Sequence, residues 1–491
     1  MRFCGVLLAL FVVTTTASMH AYAASDHGRL RVHSCSEGKS KVPAECGSLR
    51  VFENRASRSG RTIRIHFVVL KAKQPNGRVI YVNLGGPGSE LGAVPGIADG
   101  AFLKELSALR DHYDILFVDE RGFGQSHSLA CQLAPAGKPD VYFRQLWPAK
   151  RLAACRKKSA ESSDLRQYNT PIAVDDLDDL RGALGYQRLI FDVGSYGTFT
   201  AFVYMRRHPE RVESAVLQAV APPGIMHFFR DLARGSQVSL DRLRADCEHD
   251  PRCRATFPNF RSHFFSVLHR FDNGPVRVSV KNSVTKRVEI VSLSREVFAD
   301  VIRHSLFDAP TAAYLPSVIE RAYHHDTLPL GTLVDGLTQE FAALVDAGGF
   351  LSYTCAEVVP FGNSPADMKY AKTHSWFGDD RAAAQQRACK VWNVPALRAT
   401  FYEPVRSAAP ILMVSGTDDP ATPSYEGKQE LQYLSNARQM LVANAPHDTE
   451  SPCVDRVIEK FIRAGSWAGL DLTACNGSFK RPPFATSLPP Q

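Results

Sequence analysis

The chain has 491 residues, 44% hydrophobic and 22% charged, with 33 Gly and 30 Pro. That balance fits a folded protein of one large core or roughly three units at about 150 residues each, and excludes disordered, collagenous and fibrous chains. The formal charge of +8 comes from Lys and Arg residues interleaved with Asp and Glu; even Arg156-Lys157-Lys158 is followed at once by Glu161 and Asp164. With no aromatic-basic alternation to stack on bases, no nucleic-acid partner is expected.

Residues 1–23 run from Met1-Arg2 through an apolar stretch, Phe3 to Val13, to Ala21-Tyr22-Ala23. This is the layout of a signal peptide cleaved after Ala23, and its apolar run is too short for the ~20 residues of a membrane span. The expectation is a secreted or periplasmic protein with no stable membrane insertion after cleavage. Cys4 leaves with the leader, and ten of the 11 cysteines remain. An even number in an exported chain suits disulfides, and no pair has zinc-site spacing. The nearest-neighbour scheme joins Cys35–Cys46, Cys131–Cys155, Cys247–Cys253, Cys355–Cys389 and Cys453–Cys475.

In chain order, Leu49–Phe52 and Thr62–Leu70 predict an antiparallel hairpin around the polar turn at Arg58-Ser59-Gly60. Short apolar runs follow at Val79–Val82, Ile115–Val118, Leu189–Val193, Ala215–Leu217, Ile411–Val414 and Gln439–Val442. Runs without polar alternation suit strands buried on both faces. Helical patterns between them, such as Asp175–Leu184 and Phe199–Arg207, predict a mostly parallel sheet covered by helices. From about Gly224 to Val405 the rhythm breaks into helical stretches at Val297–Leu306, Leu315–Tyr323 and Asp380–Val391, with a hairpin at Val276–Val280 and Val288–Val291. An α-rich insertion between two core strands accounts for it.

The strongest chemical signal is Val193-Gly194-Ser195-Tyr196-Gly197, directly after an apolar strand and before a helical run. Small flanking residues allow the sharp turn that presents a nucleophilic serine above a sheet, although Val193 stands where glycine is usual. Serine also caps helices, so the motif alone leaves both readings open. A serine nucleophile needs a base, and the base an orienting acid. Ser415 to Pro423 places Asp418 and Asp419 at the end of a strand, and His447, after the next strand, is the only histidine beyond Asp419. The order Ser, Asp, His at three strand ends is that of a hydrolytic triad. Tyr196 offers one backbone N–H to an oxyanion. Gly86, in Asn83-Leu84-Gly85-Gly86-Pro87-Gly88, offers a second, since Pro87 has none. No phosphate-loop pattern competes. His324-His325-Asp326 lacks a matching partner for metal, and Asn476-Gly477-Ser478 fits a glycosylation acceptor.

These residues resemble the secreted prolyl- and tripeptidyl-aminopeptidase-like serine peptidases of the α/β-hydrolase superfamily. The resemblance spans about Cys46 to Cys475 and rests on Gly47-Ser48-Leu49-Arg50-Val51, Gly85-Gly86-Pro87-Gly88, Asp119-Glu120-Arg121-Gly122-Phe123-Gly124-Gln125-Ser126, Gly194-Ser195-Tyr196-Gly197-Thr198, Cys355-Ala356-Glu357 and Gly416 to Pro423. It implies an α/β-hydrolase fold: a mostly parallel central sheet with helices on both faces and an α-rich cap inserted between core strands. It further implies Ser195 as nucleophile, His447 as base and Asp419 as acid, with Asp418 the alternative. The cap would select a free peptide N-terminus through a carboxylate, for which Glu357 is the candidate, and Arg121 would be structural. Leu84 departs from relatives with His at that position.

The expected division is a signal peptide at 1–23, a core in two parts at 24–223 and 406–479, a mainly helical cap at 224–405 and an unstructured tail at 480–491. The expected function is an exported serine hydrolase that releases N-terminal residues, proline or short peptides, through an acyl-enzyme. No metal or organic cofactor is called for, and the partner is a peptide or small ester. A carboxylesterase with the same triad is the alternative, since fold and triad do not choose between ester and amide. A non-catalytic binding protein on the same fold ranks below both.

Overall fold

The structure, a computed structural model, describes residues 29–100, 103–224, 227–362 and 364–486. The expected signal peptide lies outside them. Among the described residues eleven strands are formed: β1 (Leu30–Glu37), β2 (Val42–Phe52), β3 (Thr62–Leu70), β4 (Val79–Asn83), β5 (Asp114–Val118), β6 (Leu189–Gly194), β7 (Val212–Gln218), β8 (Val276–Lys281), β9 (Val288–Leu293), β10 (Ile411–Gly416) and β11 (Ala437–Val442). Nine make one sheet in the order β1-β2-β3-β5-β4-β6-β7-β10-β11. The first three pair antiparallel, and β3 meets β5 antiparallel. From β5 onward all neighbours are parallel. This is the α/β-hydrolase fold, with the strand ends of β4, β6, β10 and β11 opening on one rim.

The parallel strands are buried on both faces, as their unbroken apolar runs require. Alternation divides each strand between two cores. Val79 and Tyr81 of β4 and Ile411 and Met413 of β10 face one apolar cluster, with Phe199, Phe202 and Val203 of the helix Tyr196–Arg207. Ile80, Val82, Leu412 and Val414 face the other, with Val454, Ile458 and Phe461 of the helix Pro452–Ala464. That last helix begins with Ser451 accepting from Val454 N–H and Pro452 in its first turn, and ends at Gly465 with φ 58°, the serine, proline and glycine each in its favoured place.

Between β7 and β10 the chain is helical apart from the β8–β9 hairpin. It builds its own apolar cluster, in which Leu240, Phe264, Phe298, Val318 and Val334 pack with Val278 and Val291 of the hairpin. The expected helix Val297–Leu306 is observed as Arg295–Ser305, set by the Ser294 cap, and Leu315–Tyr323 is observed as expected.

Two differences from the sequence reading have plain causes. Strand β1 was not expected because most of its residues are exposed; it exists through its ladder with β2 and the Cys35–Cys46 bond. The tail expected to be unstructured from 480 is anchored through 486. Phe484 is buried in the helical segment's cluster, Arg481 Nε lies 2.9 Å from Asp246, and Ala485 N–H donates to Ala313. These three contacts seat it; residues 487–491 lie outside the described part.

The ten described cysteines are joined in the five nearest-neighbour pairs, with Cα–Cα distances from 5.1 Å for Cys247–Cys253 to 5.8 Å for Cys35–Cys46. Non-reducing peptide mapping should recover these five links; any other partner for Cys247 would contradict them. The one cluster of metal-binding residue types among the described residues, Cys35, Glu37 and Cys46, has both sulfurs in a disulfide. No described helix is long and apolar enough to cross a membrane.

Candidate active site

Ser195 follows β6 directly and has φ 51° and ψ −123°, a backbone state unfavourable for any residue with a β-carbon. Its surroundings hold it there. Its N–H donates to Gln218 O at 2.9 Å, and its carbonyl accepts from Thr198 N–H at 2.9 Å and Thr198 Oγ1 at 2.7 Å. Gly197 and Gly85 near it are sterically required. A β-carbon on Gly197 would lie 2.3 Å from Asn83 O, and one on Gly85 2.8 Å from Ser195 Cβ. Position 193 carries no such demand: Val193 is a core residue of β6, in register with Asn83 and Leu217. The sharp turn therefore forms despite the missing glycine.

Asp419 and His447 stand on the loops after β10 and β11. Gly416 lets these loops touch, since a β-carbon there would lie 2.1 Å from Pro446 O. The Asp419 side chain is wholly buried, and His447 Nδ1 lies 2.9 Å from each of its carboxylate oxygens. Asp419 Oδ1 also accepts from Ala421 and Thr422 N–H, and Oδ2 accepts from Thr422 Oγ1 at 2.7 Å. An acceptor so surrounded makes Nδ1 the protonated nitrogen and leaves Nε2 free as a base. Asp418 turns the other way: it accepts from Thr417 Oγ1 at 3.0 Å and lies 3.9 Å from Arg481, and burial raises its pKa. Of the two adjacent aspartates, Asp419 is the one that meets the histidine.

Ser195, His447, Gly86, Tyr196 and Glu357 line one cavity of about 360 Å³, walled by apolar groups including Phe199, Phe341 and Phe350. The loop after β4 lies against Ser195. Its first amides are occupied, Leu84 N–H by Glu90 and Gly85 N–H by Asn83 Oδ1, both at 2.9 Å. Gly86 is the next amide, at the cavity wall.

Glu357 ends the helix Ala347–Glu357 and is fully buried, not the exposed glutamate its surroundings in sequence permit. Its carboxylate accepts from Thr170 N–H at 2.5 Å, Thr170 Oγ1 at 2.8 Å and the Tyr196 hydroxyl at 2.5 Å. Thr170 opens the helix Thr170–Ala183, whose N-terminus favours negative charge. Burial nevertheless pushes the Glu357 pKa up to about 7, against the hydrogen bonds from Tyr196 and Thr170. Burial beside Glu357 keeps the Tyr196 phenol protonated as a donor. Tyr196 thus serves two sides of the cavity, its backbone adjoining Ser195 and its ring reaching Glu357.

Arg121 reaches none of this. Fully buried, it grips Asp176 through Nε at 2.6 Å and Nη2 at 2.9 Å, and donates to the carbonyls of Glu53 and Gln167. That ties three loops together, the structural part expected of it. Sequence reasoning missed three polar groups of the cavity, Arg303, His304 and Arg381, which come from helices of the inserted segment at spacings with no motif.

A serine on a sharp strand-to-helix turn of a parallel sheet, with an aspartate-held histidine on the last strand-end loops, defines an α/β hydrolase of the serine class. Comparison with known proteins agrees. The alpha/beta hydrolase fold model matches residues 85–281 and the TAP-like protein model matches residues 374–474. These matches support the TAP-like family of the α/β-hydrolase superfamily, and the chain is a serine hydrolase. The tripeptidyl aminopeptidase of Streptomyces coelicolor is 22% identical, with 90% of this chain and 84% of that protein covered. The serine protease Hip1 of Mycobacterium tuberculosis is 22% identical over 87% of this chain and 86% of its own length. The hydrolase YuaR of Escherichia coli is 28% identical over 244 residues, so the match spans only 47% of that relative.

Proposed function

We propose that this serine hydrolase is an exported aminopeptidase that removes one or a few residues from a free peptide N-terminus. Ser195 Oγ attacks the scissile carbonyl carbon while His447 Nε2 takes its proton. The oxyanion is met by the N–H groups of Gly86 and Tyr196. The tetrahedral adduct collapses, the C–N bond breaks, and His447 returns the proton to the leaving amine. Water then hydrolyses the acyl-enzyme with His447 again as base, and Asp419 holds the ring and stabilises its charged form. The helical segment 224–405 acts as the cap, and five disulfides with the leader-like N-terminus support export.

The observation that carries the peptidase reading is Glu357, a buried carboxylate in the same cavity as Ser195 and His447. An apolar ester would leave it an uncompensated charge; a substrate ammonium pairs with it. The test is a panel of proline and short-peptide anilides, free and N-acetylated, beside short-chain esters. Free N-termini should be strongly preferred. Equal cleavage of free and acetylated peptides would defeat the anchor, and turnover of esters alone would make the enzyme a carboxylesterase.

The same residue gives a pH signature. Glu357 pairs with an ammonium only when ionised, and its pKa is about 7, so the free-to-acetylated ratio of kcat/KM should rise as pH increases through about 7. It should fall again above about 8 as the substrate α-amino group loses its proton. Taking the ratio divides out every pH dependence that both substrates share. In Glu357→Gln the rising limb should vanish and kcat/KM for free peptides should drop about 100-fold. A ratio that is flat with pH in the wild type would remove Glu357 from substrate binding.

A further inference from the structure

Opposite in charge to Glu357, the same cavity carries two guanidinium groups, Arg303 and Arg381. Both are tied to one carboxylate. Arg303 Nη2 donates to Asp300 Oδ1 at 2.8 Å, and Arg381 Nη1 lies 3.1 and 3.2 Å from the two Asp300 oxygens. His304 completes the cluster, its Nδ1 3.3 Å from Asp300 Oδ2 and its Nε2 3.1 Å from Arg303 Nη2. A ring nitrogen facing a guanidinium N–H must accept, so His304 is neutral, with its proton on Nδ1. Burial and Arg303 both lower its pKa. Two cations against one anion leave this wall with a net charge of +1. Glu357 is the one acidic side chain among the described residues lining the cavity.

The cluster is also incompletely bonded. The Arg303 side chain is only 7% exposed, yet its Nε–H has no hydrogen-bond partner among the described residues. A buried guanidinium N–H without a partner is a costly feature. Its place relative to the reacting atoms is set by Phe307, whose ring lies 4.8 Å from the His447 ring and 5.1 Å from that of His304, with Arg303 Cζ 5.2 Å away. The cationic wall therefore adjoins the ring of His447. Glu357, held by Tyr196, adjoins the serine.

Resting on the aminopeptidase reading above, we infer that Arg303 and Arg381 bind a carboxylate on the leaving portion of the substrate, making this an enzyme for short peptides charged at both ends. The cavity volume of about 360 Å³ lies at the small end of ligand sites, as suits a peptide of two or three residues. The carboxylate is supplied by the C-terminus of so short a substrate, or by an Asp or Glu side chain just after the scissile bond. Arg303 and Arg381 donate through the guanidinium N–H groups not spent on Asp300 and His304.

The test compares matched tripeptides in the wild-type enzyme: one with a free C-terminal carboxylate, its C-terminal amide, and an amide with Glu after the scissile bond. A charge-assisted pair predicts kcat/KM about 10- to 100-fold higher for the acid than for the neutral amide. Recovery of the rate by the Glu-containing amide would assign the site to an acidic side chain as well. In Arg303→Gln or Arg381→Gln, with active sites counted by fluorophosphonate labelling, the acid-to-amide ratio should fall toward one. Each single variant leaves one arginine on Asp300, which avoids stranding that carboxylate. Equal cleavage of all three peptides by the wild type overturns this inference alone. Cleavage of none overturns the peptidase reading and this inference with it.

Discussion

Ser195→Ala should lower kcat about 10⁶-fold while leaving the melting temperature unchanged. Both halves of that expectation come from the same geometry. The bonds that keep Ser195 at φ 51° run through its backbone N–H and carbonyl, to Gln218 and Thr198. Alanine keeps the β-carbon, and with it the steric fit against Gly85, so the strained turn and the cavity persist. What is lost is the atom that forms the acyl-enzyme. Any residual rate is that of a bound substrate facing the oxyanion donors and water, which still exceeds the uncatalysed reaction. Steady-state turnover of the best anilide measures the loss, and a fluorophosphonate probe should label wild type and spare the variant. A loss under tenfold, or labelling of the variant at full stoichiometry, would place the nucleophile elsewhere.

The rim that carries this serine was readable because it depends on strand ends. Each buried parallel strand announces itself as a short apolar run, and the residues just after β4, β6, β10 and β11 share one side of the sheet by topology alone. That is why Gly86, Ser195, Asp419 and His447, scattered over some 360 positions, group together on the sequence pattern alone. Edge strand β1 escaped because its stability lies in pairing, not in apolar side chains. Arg303, His304 and Arg381 escaped for a related reason. Their approach to one another is set by how the helices Arg295–Ser305 and Asp380–Trp392 pack, and no spacing along the chain encodes that. Glu357 was legible by resemblance only. Its burial raises its pKa to about 7, and the hydrogen bonds that hold it come from Thr170 and Tyr196, residues more than 160 positions away. The choice of Asp419 over Asp418 likewise rested on resemblance, because successive loop residues point in different directions and the contacts with Thr422 and His447 show which one faces inward.

That choice carries the second large effect. Asp419→Asn should reduce kcat about 10⁴-fold, whereas Asp418→Asn should cost less than tenfold. In the first variant the amide oxygen takes the place of Oδ1, where Ala421 and Thr422 N–H groups donate. The amide NH₂ then occupies the place of Oδ2, 2.9 Å from His447 Nδ1. A donor there obliges Nδ1 to accept, so the ring proton moves to Nε2, and a protonated Nε2 cannot take the proton of Ser195. The loop should keep its shape, because both backbone donors still find an oxygen and Thr422 Oγ1 can rotate to accept. Asp418→Asn changes a carboxyl that meets Thr417 and lies 3.9 Å from Arg481. Its effect is confined to the seating of the C-terminal segment and is absent from the reacting atoms. Turnover of both variants on one substrate, with thermal melts as the control for folding, separates the roles. Equal losses in the two, or a larger loss in Asp418→Asn, would mean that the contact with His447 does not orient the base.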